Sequence, residues 1–426
     1  MKIGFCTLGC KVNQYETEAV KEVFEKNGWE ISDFSDTCDA YVINTCSVTH
    51  LSDRKSRQMI RRAHTKNKDA LIAVMGCYSQ MSPEEVSSIE GVDIVIGTRN
   101  KLKVYELISE GKKENTVTPM GIEDYEDMEI TLFESKTRAI IKAQDGCNNF
   151  CSYCIIPYAR GRIRSRSLES IYNECMRLSE NGFLEIVLAG IHICSYGKDL
   201  ENVNLLTLLE KIHSIDGIKR IRLSSIEPNA FTEEFIEGLK KLPKVCHHFH
   251  ISLQSGCDET LKRMNRKYDS SFYKSVCDTL IKEFPDSAIT TDLITGFPGE
   301  TKEEWEKSYE FIKSIPFYQI HTFKYSIREG TKAATMENQI APDIKEGRSK
   351  QVIKLSSEKE EEFKKNYILK TVDVLMETIT EDGFYMGHTS NYLPVYVKSD
   401  ENIKDKIVNV TVTDYKNKKL IGKINN

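Results

Sequence analysis

Short continuous apolar runs alternate with amphipathic stretches over the first 120 residues. The apolar runs lie at 2–5, 40–44, 70–75 and 93–96, and the amphipathic stretches at 16–26 and 54–64. Unbroken apolar runs are typical of parallel strands that are covered on both faces, and the stretches between them have helical periodicity. The pattern predicts an open α/β domain over residues 1–118.

A second alternation follows a polar, acidic segment at 115–137, which we interpret as a linker. Its apolar runs lie at 139–143, 185–188, 220–223, 248–253, 289–293 and 319–324, with amphipathic stretches such as 168–181 and 302–314 between them. Six strand–helix units predict a second α/β domain. The charge-rich segment at 343–366 has helical spacing and is predicted to be a connecting helix, which extends this domain to residues 136–366.

From Tyr367 onward the pattern changes to short alternating strands. Turn residues at 381–383 and 417–418 separate runs that are rich in β-branched residues, such as 408–412. This spacing predicts a small antiparallel β-barrel over residues 367–426.

Three cysteines lie within eight residues at C-x3-C-x2-C spacing: Cys147, Cys151 and Cys154. A structural zinc site needs four ligands, whereas a cubane iron–sulfur cluster held by three thiolates keeps one iron open for chemistry. The spacing therefore favours a [4Fe-4S] cluster with a free iron. A zinc knuckle, or a chance cluster of thiols, is the alternative.

Three more cysteines, distant in sequence, each come just after a predicted strand: Cys10, Cys46 and Cys77. Parallel strands bring their carboxyl ends to one edge of a sheet, so these thiols are expected to converge there. The prediction is a second three-thiolate site. The alternative is that they are small buried residues at strand ends, and we interpret the remaining seven cysteines in that way.

Composition indicates the compartment and the mode of nucleic-acid binding. Thirteen cysteines, with no secretory pattern and no apolar stretch of membrane-spanning length, predict a cytoplasmic protein whose thiols are available for metal. The net charge of −5 argues against bulk electrostatic adhesion to nucleic acid, so RNA contacts would need local basic patches.

Two such basic patches are present, and exposed aromatic side chains are a third candidate for RNA binding. The first patch is a row of alternating arginines, and the second is a helix face: Arg160, Arg162, Arg164 and Arg166, then Arg54, Arg57 and Arg61 with Lys55 and Arg62. Solvated charge is the alternative for both. The C-terminal domain is uncharged overall, and its aromatic candidates are Tyr385, His388, Tyr392 and Tyr396.

The motif at 147–154 resembles that of the radical S-adenosylmethionine (SAM) enzymes, whose open iron is chelated by the methionine moiety of SAM. The order of a three-cysteine domain, a radical SAM domain and a small barrel similar to a TRAM domain resembles the radical SAM methylthiotransferases. Segments 7–16 and 157–162 are most similar to the branch that acts on N6-threonylcarbamoyladenosine. The resemblance implies that the central domain is a partial (β/α)6 barrel with its site at the carboxyl ends of the strands.

The resemblance also implies a reaction. A methylthio group would be added to C2 of N6-threonylcarbamoyladenosine at position 37, in the anticodon loop of tRNA. Two [4Fe-4S] clusters would be needed: one on Cys147, Cys151 and Cys154 to cleave SAM, and one on Cys10, Cys46 and Cys77 to hold the sulfur. Flavodoxin or ferredoxin would supply electrons, and neither a membrane nor an obligate protein partner is expected.

Five residues are implied to contact SAM by their place in the family's motifs: Tyr153, Gly190, Ser252, Gln254 and Asp292. Asp292 is the strongest candidate, because it interrupts an apolar strand and a carboxylate there needs a partner. The turn at 296–300 is a further candidate, and the alternative is that it starts a helix that Thr301 caps.

Three alternatives stay open. The same chemistry could act on N6-isopentenyladenosine in tRNA or on a ribosomal-protein aspartate, although the start of the chain argues against both. A two-cluster electron-transfer or iron-sensing RNA-binding protein would need no SAM site. That last class leaves the residues at the strand ends of the central domain unexplained.

Overall fold

The computed structural model describes residues 1–121, 124–131 and 137–425. The N-terminal region is the predicted open α/β domain. Its elements are β1 (Lys2–Thr7), α1 (Lys11–Lys26), β2 (Glu30–Ser32), β3 (Ala40–Thr45), α2 (His50–Lys66), β4 (Leu71–Gly76), α3 (Cys77–Met81), α4 (Pro83–Ser87), β5 (Ile94–Ile96), α5 (Lys103–Ser109) and β6 (Glu114–Asn115).

The N-terminal sheet has the strand order β2-β1-β3-β4-β5-β6, and all neighbouring strands are parallel. Every residue of the inner strand β3 is buried, as its unbroken apolar run predicts. The register pairs Thr7 with Asn44 and Thr45 with Gly76. The carboxyl ends of β1, β3 and β4 therefore lie side by side.

The central region contains all six predicted strands. Its elements are β7 (Arg138–Asp145), α6 (Ile156–Arg160), β8 (Arg164–Ser165), α7 (Leu168–Glu180), β9 (Glu185–Gly190), α8 (Leu205–His213), β10 (Arg220–Leu223), α9 (Glu233–Lys240), β11 (His248–His250), α10 (Asp258–Arg263), α11 (Ser270–Glu283), β12 (Ala288–Thr295), α12 (Lys302–Ser314), β13 (Gln319–Lys324) and α13 (Pro342–Lys365). Thr301 caps α12, as predicted, in a capping box with Glu304.

The central strands form a partial barrel. β7, β9, β10, β11, β12 and β13 follow one another in parallel, and isolated bridges at 221–245 and 226–251 join β10 to β11. Within the described ranges no pairing closes β13 onto β7, and β8 pairs antiparallel with the end of β7 instead. The prediction of a partial (β/α)6 barrel is confirmed.

The first two domains share one apolar core. Val12, Tyr15 and Ala19 of α1 belong to the same buried cluster as the barrel strands and the helices around them. Several kcal/mol of hydrophobic burial is typical of three such side chains, so α1 is fixed against the barrel. This packing sets the position of the N-terminal strand ends relative to the barrel.

The acidic segment between these domains is not the exposed linker that its composition predicts. Met128 and Ile130 are buried in the shared core, and the backbone N–H of Ile130 donates to the carboxylate of Glu174 at 2.7 Å. Apolar residues inside an acidic sequence made this packing hard to recognise. Glu123 and the predicted domain start at residue 136 lie outside the described residues.

The C-terminal region is a closed five-stranded barrel. Its strands are β14 (Thr371–Ile379), β15 (Tyr385–Thr389), β16 (Pro394–Val397), β17 (Ile407–Lys416) and β18 (Lys419–Ile424). Four of the pairings are antiparallel, as predicted, and the fifth, between β16 and β18, is parallel. None of the described helices is long and apolar enough to cross a membrane.

Candidate active site

The loop that follows β7 carries one set of thiols: Cys147, Cys151 and Cys154. Gly146 opens this loop with φ of 72°, and a Cβ on it would lie 1.9 Å from the carbonyl oxygen of Arg162. Only glycine therefore allows the segment at 161–162 to pack against the start of the loop. There the Cys147 N–H donates to the Gly161 carbonyl at 3.0 Å. On the other side, the Asn265 side chain donates to the carbonyl of Phe150 at 3.0 Å.

The thiols of this loop are half-buried, so their ionised forms need a neighbouring positive charge. Burial raises the pKa of the Cys147 thiol, and it raises the pKa of the Cys154 thiol to about 12. Arg266 lies 3.2 Å from the sulfur of Cys151 and 2.8 Å from the Glu227 carboxylate. Because a free thiolate is costly in such surroundings, bound metal would have to supply the compensating charge.

The second set of thiols lies at the ends of β1, β3 and β4: Cys10, Cys46 and Cys77. A Cβ on Gly9 would lie 3.0 Å from the sulfur of Cys46, so the loop that carries Cys10 lies directly against Cys46. Burial, with smaller contributions from the nearby Cys77 and Cys10, raises the pKa of the Cys46 thiol to about 11. The predicted convergence of the three strand ends is therefore present.

Neither set of thiols is arranged around a single metal ion. Among the described residues, no three His, Cys, Asp or Glu side chains are close enough together to coordinate one ion. A zinc site needs its ligands around one atom, whereas a cubane cluster takes each thiolate on a different iron and so holds them farther apart. Each set offers three thiolates, one ligand short of a closed zinc site, which is the donor set of a cubane cluster with one open iron.

A buried ion network joins the two thiol loops. The Arg160 guanidinium lies 2.9 Å from Glu16 and 3.1 Å from Asp145, and it donates to the Asn13 side chain at 2.7 Å. Glu16 is on α1, shortly after Cys10, and Asp145 ends the strand that precedes the other thiol loop. The sequence does not predict this network, because charged residues on helices are usually exposed. Glu16 and Arg160 nevertheless lie in the segments 7–16 and 157–162, which carry the family resemblance.

The prediction of an arginine row that tracks phosphates is wrong. Arg160 and Arg166 are fully buried and Arg164 is nearly so; only Arg162 is exposed, with its guanidinium 4.9 Å from the Phe150 ring centre. Arg166 is paired with Glu174 and lies 2.8 Å from Asp127. These arginines compensate buried carboxylates and are not available to RNA.

The other two RNA predictions have mixed outcomes. Four members of the basic face of α2 are exposed: Arg54, Lys55, Arg61 and Arg62. Arg57 is half-buried and donates to the Tyr78 hydroxyl at 2.9 Å. Tyr385 is buried in the core of the C-terminal barrel. Tyr392 is stacked between His388 and His248 at the domain boundary, with ring centres 4.6 and 5.0 Å away. Tyr396 alone of the predicted tyrosines is partly exposed and unstacked, with Lys419 over its ring.

A cavity of about 230 Å³, which we call the cleft, takes its lining from the segment after Cys46 and from the loop that carries Cys154. Its wall includes Thr49 from the loop after Cys46, and Tyr153 with Cys154 from the other loop. Gln254 and Asp292 are also part of the wall; Gln254 has φ of 70°, and its N–H donates to the Asp292 carbonyl at 2.9 Å. The cleft thus brings together three of the five predicted SAM-contacting residues.

The other two predicted SAM residues lie outside the residues that line the cleft. Gly190 ends β9 beside Gln144, whose side chain accepts from the His192 N–H at 2.8 Å. Ser252 follows β11, and its carbonyl accepts from the Tyr268 hydroxyl at 2.6 Å. Both are at the carboxyl ends of barrel strands, and their contacts with SAM stay a prediction.

A larger cavity of about 680 Å³, which we call the lumen cavity, lies inside the barrel. Asp292 borders both the cleft and the lumen cavity, and Glu377 of the C-terminal barrel is part of the wall. Asp292 lies 3.1 Å from His250, the partner that its position in an apolar strand required. Burial lowers the pKa of Lys11 in this wall, and Arg222 and Arg138 lower it further.

Comparison with known protein families divides the chain as the fold does. The radical SAM superfamily matches residues 141–312, the uncharacterized protein family UPF0004 matches residues 2–97, and the TRAM domain matches residues 365–424.

Curated relatives match over nearly the whole chain. Threonylcarbamoyladenosine tRNA methylthiotransferase MtaB of Bacillus subtilis is 44% identical over 96% of this chain and 93% of its own length. The protein of the same name from Aquifex aeolicus is 39% identical over 85% of this chain and 90% of its own length. A tRNA-2-methylthio-N(6)-dimethylallyladenosine synthase from Alkaliphilus oremlandii is 35% identical over 99% of this chain and 92% of its own length.

Among solved structures, the radical SAM methyltransferase TsrM from Kitasatospora setae, with cobalamin and a [4Fe-4S] cluster bound, aligns with a TM-score of 0.59. The alignment covers 78% of this chain and 77% of that one at 16% identity. At this identity the likeness supports the fold alone.

Proposed function

Because this chain belongs to the family of radical SAM tRNA methylthiotransferases, we propose that it adds a methylthio group to C2 of N6-threonylcarbamoyladenosine at position 37 of tRNA. The observation that carries this proposal is the cleft, whose wall takes residues from both thiol loops. A substrate base in the cleft would be next to both sites at once. Relatives at 37–44% identity are named for threonylcarbamoyladenosine.

The family uses SAM and a [4Fe-4S] cluster; we assign the cluster to Cys147, Cys151 and Cys154 and propose a second one on Cys10, Cys46 and Cys77. Cys147, Cys151 and Cys154 would hold a cluster that provides the electron for reductive cleavage of SAM, and Cys10, Cys46 and Cys77 would hold one that carries the sulfur to be transferred. Radical chemistry is needed because polar side chains cannot break the unactivated C2–H bond of adenine.

The protein's own residues orient the reactants and exclude water. Tyr153, Gln254 and Asp292 would hold SAM against the wall of the cleft, and the hydrogen bond from the Gln254 N–H to the Asp292 carbonyl keeps two of these residues together. The buried network of Arg160 and Glu16 fixes the separation of the two thiol loops. Holding the sulfur near C2 makes the bond-forming step effectively intramolecular.

We assign tRNA binding to the C-terminal TRAM barrel and the exposed basic face of α2. The anticodon loop would be the part of the tRNA that reaches the cleft. We also propose that flavodoxin or ferredoxin supplies the electrons and that the reaction takes place in the cytoplasm, where tRNA is found.

A competing substrate is N6-dimethylallyladenosine, since relatives at 34–35% identity are named for it. The test is anaerobic incubation of the reconstituted protein with SAM, a reductant and anticodon stem-loop RNA that carries either base, followed by mass spectrometry of the nucleosides. We expect the 2-methylthio form of threonylcarbamoyladenosine and little or none of the dimethylallyl product. The reverse outcome would assign the protein to the dimethylallyl branch.

A further inference from the structure

Lys11 is a cation without a partner in the wall of the lumen cavity. It is the first residue of α1, directly after Cys10. In the part of the chain that the structure describes, its ammonium makes neither an ion pair nor a hydrogen bond. Its side chain lines the cavity and is accessible to a ligand there.

The other charged side chains of this wall are paired. Arg138 lies 2.9 Å from Glu377, and Asp292 lies 3.1 Å from His250. The guanidinium of Arg222 lies 2.7 Å from the buried carboxylate of Glu185 and donates to a backbone carbonyl of the C-terminal barrel at 2.9 Å. Of the described Lys, Arg, Asp and Glu side chains in this wall, Lys11 is therefore the one left to bind a ligand.

An unpaired ammonium in the wall of a polar cavity favours an anionic ligand, because the two opposite charges can form a charge-assisted hydrogen bond. The threonylcarbamoyl group ends in a carboxylate and also carries a hydroxyl group, whereas a dimethylallyl group has neither. In adenine, C2 and C6 flank N1. A base whose C2 faces the cleft can therefore place its N6 substituent in the adjoining lumen cavity, past Asp292, which borders both.

We propose that the lumen cavity is the subsite for the N6 substituent and that Lys11 binds the threonyl carboxylate of the substrate base. Thr290, Gln319 and His321 line the same cavity and provide polar groups for the carbamoyl and hydroxyl groups. Lys11 is then a specificity-determining residue that favours threonylcarbamoyl over apolar N6 substituents. This inference rests on the proposed function.

The test compares binding of two anticodon stem-loop RNAs to the reconstituted protein by fluorescence anisotropy, without SAM. One RNA carries N6-threonylcarbamoyladenosine, and the other carries the methyl ester of the same base, which removes only the charge. We expect Lys11→Gln to weaken binding of the acid roughly 10- to 100-fold and to leave binding of the ester almost unchanged. Lys11→Arg should retain most of the affinity for the acid.

Lys26→Gln is the matched control, because Lys26 lies on the same helix, is exposed and is paired with Glu22 on the surface. Iron content and the absorption of the clusters are measured for each variant. The proposal is overturned if Lys11→Gln weakens binding of the acid and the ester equally, with or without loss of iron. It is also overturned if Lys11→Gln weakens binding of neither RNA. Discrimination by Lys11 without any methylthio product from the wild-type protein would leave the subsite standing and contradict the proposed reaction.

Discussion

At the residue scale, burial determines what the charges near the thiol loops do. Arg160 is completely enclosed, and Glu16 contacts it together with Lys101 and Lys142. Opposite charges hold the pKa of Glu16 well below its usual range, against the effect of burial, which raises it. The network is stable only while every member keeps its partners.

Removal of Arg160 should therefore be far more damaging than removal of its exposed neighbour Arg162. We expect Arg160→Gln to lower the free energy of unfolding by about 3–5 kcal/mol, because the carboxylates of Glu16 and Asp145 lose a buried partner. Arg162→Gln is the matched control and should change it by less than about 0.5 kcal/mol. Urea denaturation of both variants measures the difference. Similar costs for the two changes would contradict the assignment of a structural role to Arg160 alone.

A second residue-scale prediction concerns pH. Burial opposes ionisation of Glu227, but a hydrogen bond with His192 and the charge of Arg266 outweigh it and lower the pKa of Glu227 to about 2. Its unfolded pKa is about 4.3, so its stabilising effect is fully present above that pH and is lost as the pH falls toward 2.

The advantage of the wild-type protein over Glu227→Gln in urea denaturation should accordingly be largest near neutral pH and shrink below about pH 4.3. Glu233→Gln, a change at an exposed helix start, is the control. A difference between wild type and Glu227→Gln that grows as the pH falls would show that the ion pair does not stabilise the folded state.

At the element scale, the cysteines of both thiol sites follow the carboxyl ends of strands, and single glycines determine the conformation of the loops. The sequence was sufficient to predict these elements, because unbroken apolar runs identify covered parallel strands and the cysteines come directly after them. What it could not predict was which charges are buried. The arginines at 160–166 look like an exposed row, and only the carboxylates of distant segments, such as Glu16 and Glu174, explain their burial.

Gly146→Ala should prevent the thiol loop from forming, because the new Cβ would lie 1.9 Å from the carbonyl oxygen of Arg162. We expect the reconstituted variant to lose one cluster's share of iron and to stop cleaving SAM. Gly182→Ala is the matched control: its φ of 86° is also positive, but no atom lies within 4 Å of its Cβ, so it should cost only about 1 kcal/mol of stability. Full iron content in Gly146→Ala would contradict the role that we give to this turn.

At the scale of the whole molecule, the C-terminal barrel is docked on the amino-terminal side of the central barrel. Arg220 donates to the carbonyls of His388 and Asp373 at 2.9 and 2.7 Å, and Arg138 pairs with Glu377. This docking helps to enclose the lumen cavity. Composition alone could not predict it, because the net charge of the C-terminal domain is zero and the contacts use backbone carbonyls.

Arg220→Ala should loosen this docking without disturbing the thiol sites. We expect faster hydrogen exchange in β14 and β15, measured by mass spectrometry, and unchanged exchange in β1, β3 and β4. Lys219→Ala is the matched control, since Lys219 is adjacent in sequence and its side chain donates to the carbonyl of Asp216 in the same turn. Unchanged exchange in β14 and β15 would mean that the apolar contacts of the interface suffice to hold the two barrels together.

The central claim is that the two sets of thiols have different tasks on one adenine. The most direct measurement quantifies 5′-deoxyadenosine and methylthiolated nucleoside from the same anaerobic reactions of wild-type, Cys46→Ala and Cys151→Ala proteins with substrate tRNA. We predict both products from the wild type, 5′-deoxyadenosine alone from Cys46→Ala and neither from Cys151→Ala. Methylthiolated nucleoside from either variant, or wild-type cleavage of SAM without it on every tRNA tried, would contradict the account.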